Sequence, residues 1–93
     1  MIGPDHIPAL PRGVRTHHDR VRGAEVLLGP ERVLMLDQIG VAVLTRVDGI
    51  TTVADIVSDL AAAYDAPREM IEADVLAYLD DLADKRLLDV VDG

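Results

Sequence analysis

Residues 48–56 constrain the fold more than any other stretch, because they indicate one helix ending and the next beginning. Gly49 is the residue type that accepts the left-handed conformation closing a helix at its C-terminus. Thr52 and Asp55 have capping-box spacing, in which the hydroxyl accepts from an amide and the carboxylate reaches back. The chain is therefore expected to turn sharply between two helices. Three apolar residues are available to pin this corner into a core: Ile50, Val53 and Ile56.

Apolar residues recur at helical spacing on both sides of this corner. We expect a first helix over residues 38–47 with Asp37 as its N-cap, and a second over residues 53–64. A third starts at residues 65–67, where proline suits a first turn, and runs to about residue 85. The positions assigned to the core are Ile39, Val43, Leu44 and Val47 in the first helix, Val53, Ile56, Val57, Leu60 and Tyr64 in the second, and Ile71, Val75, Tyr78, Leu79 and Leu82 in the third.

Three short runs before the first helix have the composition of β-strands separated by tight turns. They cover residues 14–18, 24–28 and 32–36, and these lengths suit a small antiparallel sheet. The predicted fold class is α+β: a small winged helix-turn-helix, with a three-stranded antiparallel β-sheet followed by a three-helix bundle.

The ends of the chain carry weaker signals. Residues 1–13 contain Pro4, Pro8 and Pro11, which predicts an irregular or extended, flexible lead-in. A single domain then covers residues 14–91. Its last residues are too few for a helix and are expected to add a strand or cover a sheet edge.

Composition excludes several classes of protein. The chain has no Cys, so disulfides and thiol chemistry are excluded. It has no Phe or Trp and so offers no aromatic platform for stacking bases. The N-terminus lacks the basic and apolar regions of a signal peptide, and no stretch of 18 uncharged apolar residues occurs. We therefore expect a cytoplasmic protein with no membrane partner.

Charge is unevenly distributed. The first 32 residues carry a formal charge of +1 and the remainder −9, which gives the net −8. A helix that binds DNA needs several Lys or Arg to neutralise phosphates, whereas the predicted third helix is mainly acidic. This distribution argues against nucleic acid and favours partners with a basic surface. A winged-helix DNA-binding regulator remains the alternative from a different class.

No catalytic or metal site is predicted. The histidines and aspartate at residues 17–19 lie on a predicted strand, where neighbouring side chains point to opposite faces and cannot readily share an ion. Asp80, Asp81 and Asp84 could act as acid and base only in a pocket that shifts their pKa values, and a polar helix face explains them better. We expect no enzyme activity and no cofactor.

The predicted strand at residues 32–36 has no Lys, Pro or bulge over Val33, Leu34 and Met35. If it is a sheet edge, its free amides and carbonyls can pair with an extended peptide by strand addition. It can equally be buried under the tail or against a second copy of the protein. Both interpretations stay open on the physics of the sequence alone.

A succession of short motifs, over about residues 11–88, resembles the pyrroloquinoline quinone biosynthesis protein D family (PqqD). The matching residues are Pro11-Arg12-Gly13-Val14-Arg15, Asp19, Arg22-Gly23, Val26-Leu27-Leu28-Gly29-Pro30-Glu31-Arg32-Val33, Asp48-Gly49, Thr52-Val53-Ala54-Asp55-Ile56, Leu60-Ala61, Tyr64, Ala66-Pro67 and Ile71-Glu72-Ala73-Asp74-Val75. Each motif is weak, and their order carries the resemblance. Many related domains have Gly near the position of Arg86, where this chain departs from the pattern.

The resemblance implies a non-catalytic peptide chaperone that binds the precursor peptide PqqA and presents it to the radical S-adenosylmethionine enzyme PqqE. A recognition domain for another ribosomally made, modified peptide is a related alternative. The resemblance further implies that the peptide adds a strand beside the third predicted strand and contacts the third helix. The residues thereby assigned to peptide binding are Arg32, Val33, Leu34, Met35, Leu36, Asp37, Met70, Ala73, Leu76, Ala77 and Asp80. The expected assembly is a monomer or a strand-exchanged homodimer.

Overall fold

The computed structural model describes residues 2–91, which form five strands and three helices. In chain order these are β1 Ile7–Ala9, β2 Arg15–Asp19, β3 Ala24–Leu28, β4 Val33–Met35, α1 Gln38–Leu44, α2 Val53–Tyr64, α3 Arg68–Asp84 and β5 Asp89–Val91. The predicted α+β class is confirmed, because the three strands of the antiparallel sheet and the three helices are all present.

The three-stranded sheet is an antiparallel meander in the order β2-β3-β4. Leu27 in the central strand pairs with Thr16 on one side and Leu34 on the other. Leu27 is fully buried in the core and Leu34 packs against that core, so one face of the sheet covers the helices. Because β3 lies in the middle, β4 forms an edge of the sheet.

The N-termini of α1 and α2 are capped as the sequence predicts. The Asp37 carboxylate accepts from the Gly40 N–H at 2.7 Å, and the Thr52 hydroxyl accepts from the Asp55 N–H at 3.2 Å. Each cap satisfies an amide that has no partner inside its own helix. These contacts fix where both helices begin.

The corner between α1 and α2 corrects one prediction. Helix α1 ends at Leu44 rather than at residue 47, and Gly49 takes its left-handed φ of +77° in the turn that follows. Asp48 organises this turn, because its carboxylate accepts from the Ile50 and Thr51 N–H groups at 2.9 and 2.8 Å. The Thr51 amide, followed by that of Ile50, lowers the pKa of Asp48. A side chain that bonds its own backbone competes with helix formation.

The core is aliphatic and draws on every helix and on β3. Its most deeply buried residues include Leu27, Val43, Val53, Ile56, Val57, Val75, Leu79 and Leu82. Three residues assigned to the core are instead exposed: Ile39 by 53%, Ile50 by 78% and Tyr64 by 51%. Ile50 lies in the Asp48 turn, whereas Ile39 and Tyr64 lie in end turns of α1 and α2 and border a groove.

The lead-in contains a strand that the sequence pattern did not predict. Strand β1 pairs antiparallel with β5, with Pro8 opposite Val90. The segment also packs on α2, because the carbonyls of His6 and Pro4 accept from the Val53 and Ala54 N–H groups, both at 2.9 Å. The first amides of α2 are thereby satisfied by the lead-in. The flexibility of residues 1–13 stays a prediction, as does the division at residue 14.

The end of α3 shows the backbone conformation at Arg86, where many related domains have Gly. Arg86 takes a left-handed φ of +60°, the conformation that favours glycine. Its N–H donates to the Ala83 carbonyl at 3.0 Å, and the Leu87 N–H donates to the Leu82 carbonyl at 2.9 Å. This pattern is a Schellman motif, and its apolar pair, Leu82 and Leu87, is buried. The helix therefore ends in the usual geometry with a residue that is strained there.

Candidate functional site

Strand β4 presents an open backbone edge. The Leu36 N–H donates to the Glu25 carbonyl at 2.9 Å, and the Gly29 N–H donates to the Arg32 carbonyl at the same distance. Backbone groups alternate in direction along an antiparallel strand, so the even-numbered residues of this segment face β3. The N–H and C=O groups of Val33 and Met35 therefore point away from the sheet. Within residues 2–91 no other strand pairs with them.

The side chains of β4 divide in the same way. Leu34 packs against the core, whereas Val33 and Met35 are exposed by 50% and 58%. An extended chain lying along this edge would find free amides, free carbonyls and two apolar side chains together. Such an edge is a template for an additional strand.

The tail does not cover this edge. Strand β5 pairs with β1 in a separate two-stranded sheet, with Ala9 opposite Asp89. The expectation that the tail adds a strand is confirmed, but that strand lies away from β4. Burial under the tail, one of the two protections considered from the sequence, is therefore excluded for the described residues.

Tyr78 shows which side of α3 faces the β4–α1 junction. A methyl group at Gly40 of α1 would lie 2.6 Å from the Tyr78 hydroxyl and 3.3 Å from the Asp37 carboxylate. Burial, with smaller contributions from Asp37 and Asp81, raises the pKa of Tyr78. The side of α3 that carries Tyr78 therefore lies against the first turn of α1, directly after β4.

This orientation divides the five α3 residues assigned to the peptide. Met70 lies on the α1 side, where it lines a groove with Ile39. Asp80 lies about 200° around the helix from Tyr78 and accepts from the Ile2 N–H at 2.8 Å. Leu76 packs against the core, and Ala73 and Ala77 are exposed. The structure thus places Met70 beside the first turns of α1 and Asp80 beside the N-terminal segment.

A groove between the three helices was missed by sequence reasoning. It has a volume of about 350 Å³ and is lined by residues of all three helices, among them Ile39, Ala42, Leu60, Tyr64, Met70 and Asp74. The helical period assigned Ile39 and Tyr64 to the core, because period alone does not show which end turns remain exposed after the helices pack. The available signal was the position of both residues in terminal turns.

His17 and His18 of β2 are exposed. The His18 ring and the Glu25 carboxylate lie 2.7 Å apart across β2 and β3, and both are well exposed. No three or more His, Asp or Glu side chains within residues 2–91 converge where they could hold a metal ion. Over the same residues, no helix has the length and apolar character needed to cross a membrane.

Comparisons with known proteins confirm the resemblance found in the sequence. The family model described as coenzyme PQQ synthesis protein D (PqqD) matches residues 25–88. A protein of Bradyrhizobium diazoefficiens named PqqA binding protein is 47% identical, over 95% of this chain and 92% of its own length.

Two solved structures share the fold. The first is the solution NMR structure of the PqqD truncation of Methylobacterium extorquens PqqCD, described as a functional, stand-alone recognition element for ribosomally synthesised and post-translationally modified peptides. It is 48% identical, covers 96% of this chain and 95% of its own, and has a TM-score of 0.83. The second, the crystal structure of PqqD from Xanthomonas campestris, is 47% identical with a TM-score of 0.61, over 96% and 99% of the two chains.

Proposed function

This chain belongs to the PqqD family, and on that premise we propose that it binds the precursor peptide PqqA in pyrroloquinoline quinone biosynthesis and presents it to the radical S-adenosylmethionine enzyme PqqE. It acts without catalysis of its own, in the cytoplasm. The relative named PqqA binding protein and the solved recognition element support the peptide-binding part of this proposal.

The open edge of β4 carries the proposal. The outward amides and carbonyls of Val33 and Met35 supply the hydrogen bonds of an added strand, and their side chains supply apolar contact. The peptide-binding residues expected at 32–37 all lie on or beside this edge. Among the assigned residues of α3, Met70 is the one whose position favours contact with the same peptide.

Charge favours a protein partner over nucleic acid. The chain after residue 32 has a formal charge of −9, and α3 carries acidic residues through most of its length. Such a surface repels phosphates and attracts basic surfaces. We assign the acidic helical half as the surface that meets PqqE. Tight binding of duplex DNA at about 0.15 M salt would instead favour the regulator alternative.

The direct test is calorimetric titration of the protein with the PqqA peptide encoded in the same genome. We expect saturable one-to-one binding. Met35→Pro removes one outward amide and leaves the hydrogen bonds between β4 and β3 in place, so binding should weaken by about threefold to tenfold. Met35→Lys should also weaken it, because it places a charge on the apolar edge.

Val21→Lys is the matched control. Val21 is 97% exposed in the turn between β2 and β3, so this variant adds the same charge away from β4 and should bind as the wild type does. Circular dichroism verifies that every variant is folded. Unchanged affinity of folded Met35 variants would overturn the assigned edge. Failure of the folded wild type to bind PqqA, both alone and with PqqE present, would overturn the proposed function.

A further inference from the structure

The groove between the helices is an apolar surface without a partner in the described part of the chain. Ile39 of α1, Tyr64 of α2 and Met70 of α3 border it, and each of these large side chains is 51–55% exposed. Its volume of about 350 Å³ lies at the lower end of the range of roughly 300–1,000 Å³ for binding pockets. A cavity of this size suits one large side chain.

The first turn of α1, which lines the groove, follows β4 closely in the chain. Ile39 follows Met35 by four residues, so their Cα atoms lie within about 15 Å of each other. The link is extended at Asp37, with φ −83° and ψ −178°, and α1 begins at Gln38. An extended peptide rises about 3.3 Å per residue, so a peptide that continued toward α1 would span this distance in at most about five residues beyond its pairing with Met35.

The rim of the groove is acidic. Asp74 lines the groove. Its carboxylate makes neither a hydrogen bond nor an ion pair with any of the described residues. Within residues 2–91 no Lys, Arg or His lines the groove. A cation lying beside the apolar walls would therefore meet a free carboxylate and no competing positive charge.

We propose that this groove anchors an apolar side chain of the peptide bound at β4, at most about five residues beyond the paired segment, with a Lys or Arg of that peptide facing Asp74. This inference rests on the proposed function and adds the peptide class to it: an extended segment followed by a basic and apolar pair. Strand addition supplies hydrogen bonds that any sequence can make, whereas the groove selects particular side chains.

The apolar part of the proposal is tested with a pair of isoleucines. Ile39→Ser should weaken binding of the PqqA peptide by roughly fivefold to tenfold. In the wild type the peptide would bury the exposed half of the Ile39 side chain, and serine has no such apolar surface to bury. Ile50→Ser is the matched control, since Ile50 is 78% exposed in the turn between α1 and α2 and does not line the groove. It should bind as the wild type does.

Isoleucine methyl NMR locates the contact without a substitution. On titration with the peptide, the methyl signals of Ile39 and Ile71, which both line the groove, should shift, and that of Ile50 should stay in place. An Ile39 methyl signal that does not shift at saturating peptide would overturn the proposal.

The charged part of the proposal is tested by reversing the charge first at Asp74 and then at the basic residue of the peptide. Asp74→Lys should weaken binding by roughly threefold to tenfold, as an exposed pair is lost and a repulsion gained. A peptide whose basic residue near the anchor is replaced by Glu should bind Asp74→Lys better than it binds the wild type. Asp5→Lys makes the same change of charge in the N-terminal segment and should have no effect.

The outcomes separate the two proposals. If Met35→Pro weakens binding while Ile39→Ser and Asp74→Lys do not, the groove inference is wrong and the proposed function stands. If the folded wild type does not bind PqqA with or without PqqE, the proposed function fails and the inference fails with it.

Discussion

Gly40→Ala gives the sharpest test of how α1 and α3 fit together next to β4. Gly40 is buried in the first turns of α1, and a β-carbon there would lie 2.6 Å from the Tyr78 hydroxyl and 3.2 Å from its ring carbon Cζ. The Asp37 carboxylate oxygen that caps α1 would lie 3.3 Å away. The first of these distances is shorter than any ordinary contact, so either Tyr78 or α1 must move.

Two effects oppose each other in this variant. Alanine favours a helix over glycine by up to about 1 kcal/mol. Forcing an extra methyl group into a packed site costs about 1–3 kcal/mol. With the full helix preference subtracted, we expect Gly40→Ala to lower the free energy of unfolding by up to about 2 kcal/mol, a large fraction of the stability of a domain this small.

Tyr78→Phe separates the two effects, because it removes the hydroxyl that the new methyl group would meet. In that background Gly40→Ala should raise the free energy of unfolding by up to about 1 kcal/mol, since the closest contact is gone and the helix preference then opposes only the smaller cost of the contacts at 3.2 and 3.3 Å. The coupling between the two positions is then about 1–3 kcal/mol. Tyr64→Phe, which removes an exposed hydroxyl, is the matched control and should not couple to Gly40→Ala.

The assay is urea unfolding followed by circular dichroism, because the chain has no Trp to report by fluorescence. If Gly40→Ala raises the free energy of unfolding equally in the wild type and in the Tyr78→Phe background, then the Tyr78 side chain moves aside at no cost. That result would refute the close α1–α3 contact.

Three further predictions follow from local geometry. Arg86→Gly should raise the free energy of unfolding by about 1 kcal/mol in a urea titration, because φ is +60° there; an unchanged midpoint would contradict the strain. Burial, followed by Asp37 and Asp81, raises the pKa of Tyr78 in the folded protein. The Tyr78 hydroxyl therefore loses its proton at a lower pH in the unfolded chain, and wild-type stability should fall as pH rises from about 10 toward the folded pKa. Tyr78→Phe should remove that part of the slope, and absorbance titration of Tyr64→Phe should give a midpoint above about 10. The Thr51 and Ile50 amides lower the pKa of Asp48, so the stability that its carboxylate contributes should be present above about pH 4 and be lost as pH falls toward the folded pKa. In urea titrations between about pH 5 and 2, the free energy of unfolding of Asp48→Asn should therefore decline less steeply than that of the wild type.

The positions of the helices and of the three-stranded sheet followed from the sequence because the signals are local. Capping by Asp37 and Thr52 depends on residues three apart, and the apolar period of α2 and α3 depends on neighbours within two turns. The succession of motifs identified the family for the same reason, since matching residues need only lie in the right order.

The site depended on information that is not local. The sequence singled out residues 32–36 as an apolar strand but left open whether that strand was an edge. Two pairings decided the question: β3 takes the centre of its sheet, and the tail pairs with β1 instead of β4. Both join residues far apart in the chain, and no periodicity within either segment encodes them.

The side of α3 that lies against α1 was likewise decided only in three dimensions. Its apolar residues spread over a broad face, so the sequence could not separate the flank of Met70 from the flank of Asp80. Contact between Tyr78 and Gly40 on one flank, and the hydrogen bond from Ile2 on the other, distinguish them. Local chemistry thus determined the elements and the family, whereas packing between distant segments determined which strand stays open and which helix ends line the groove.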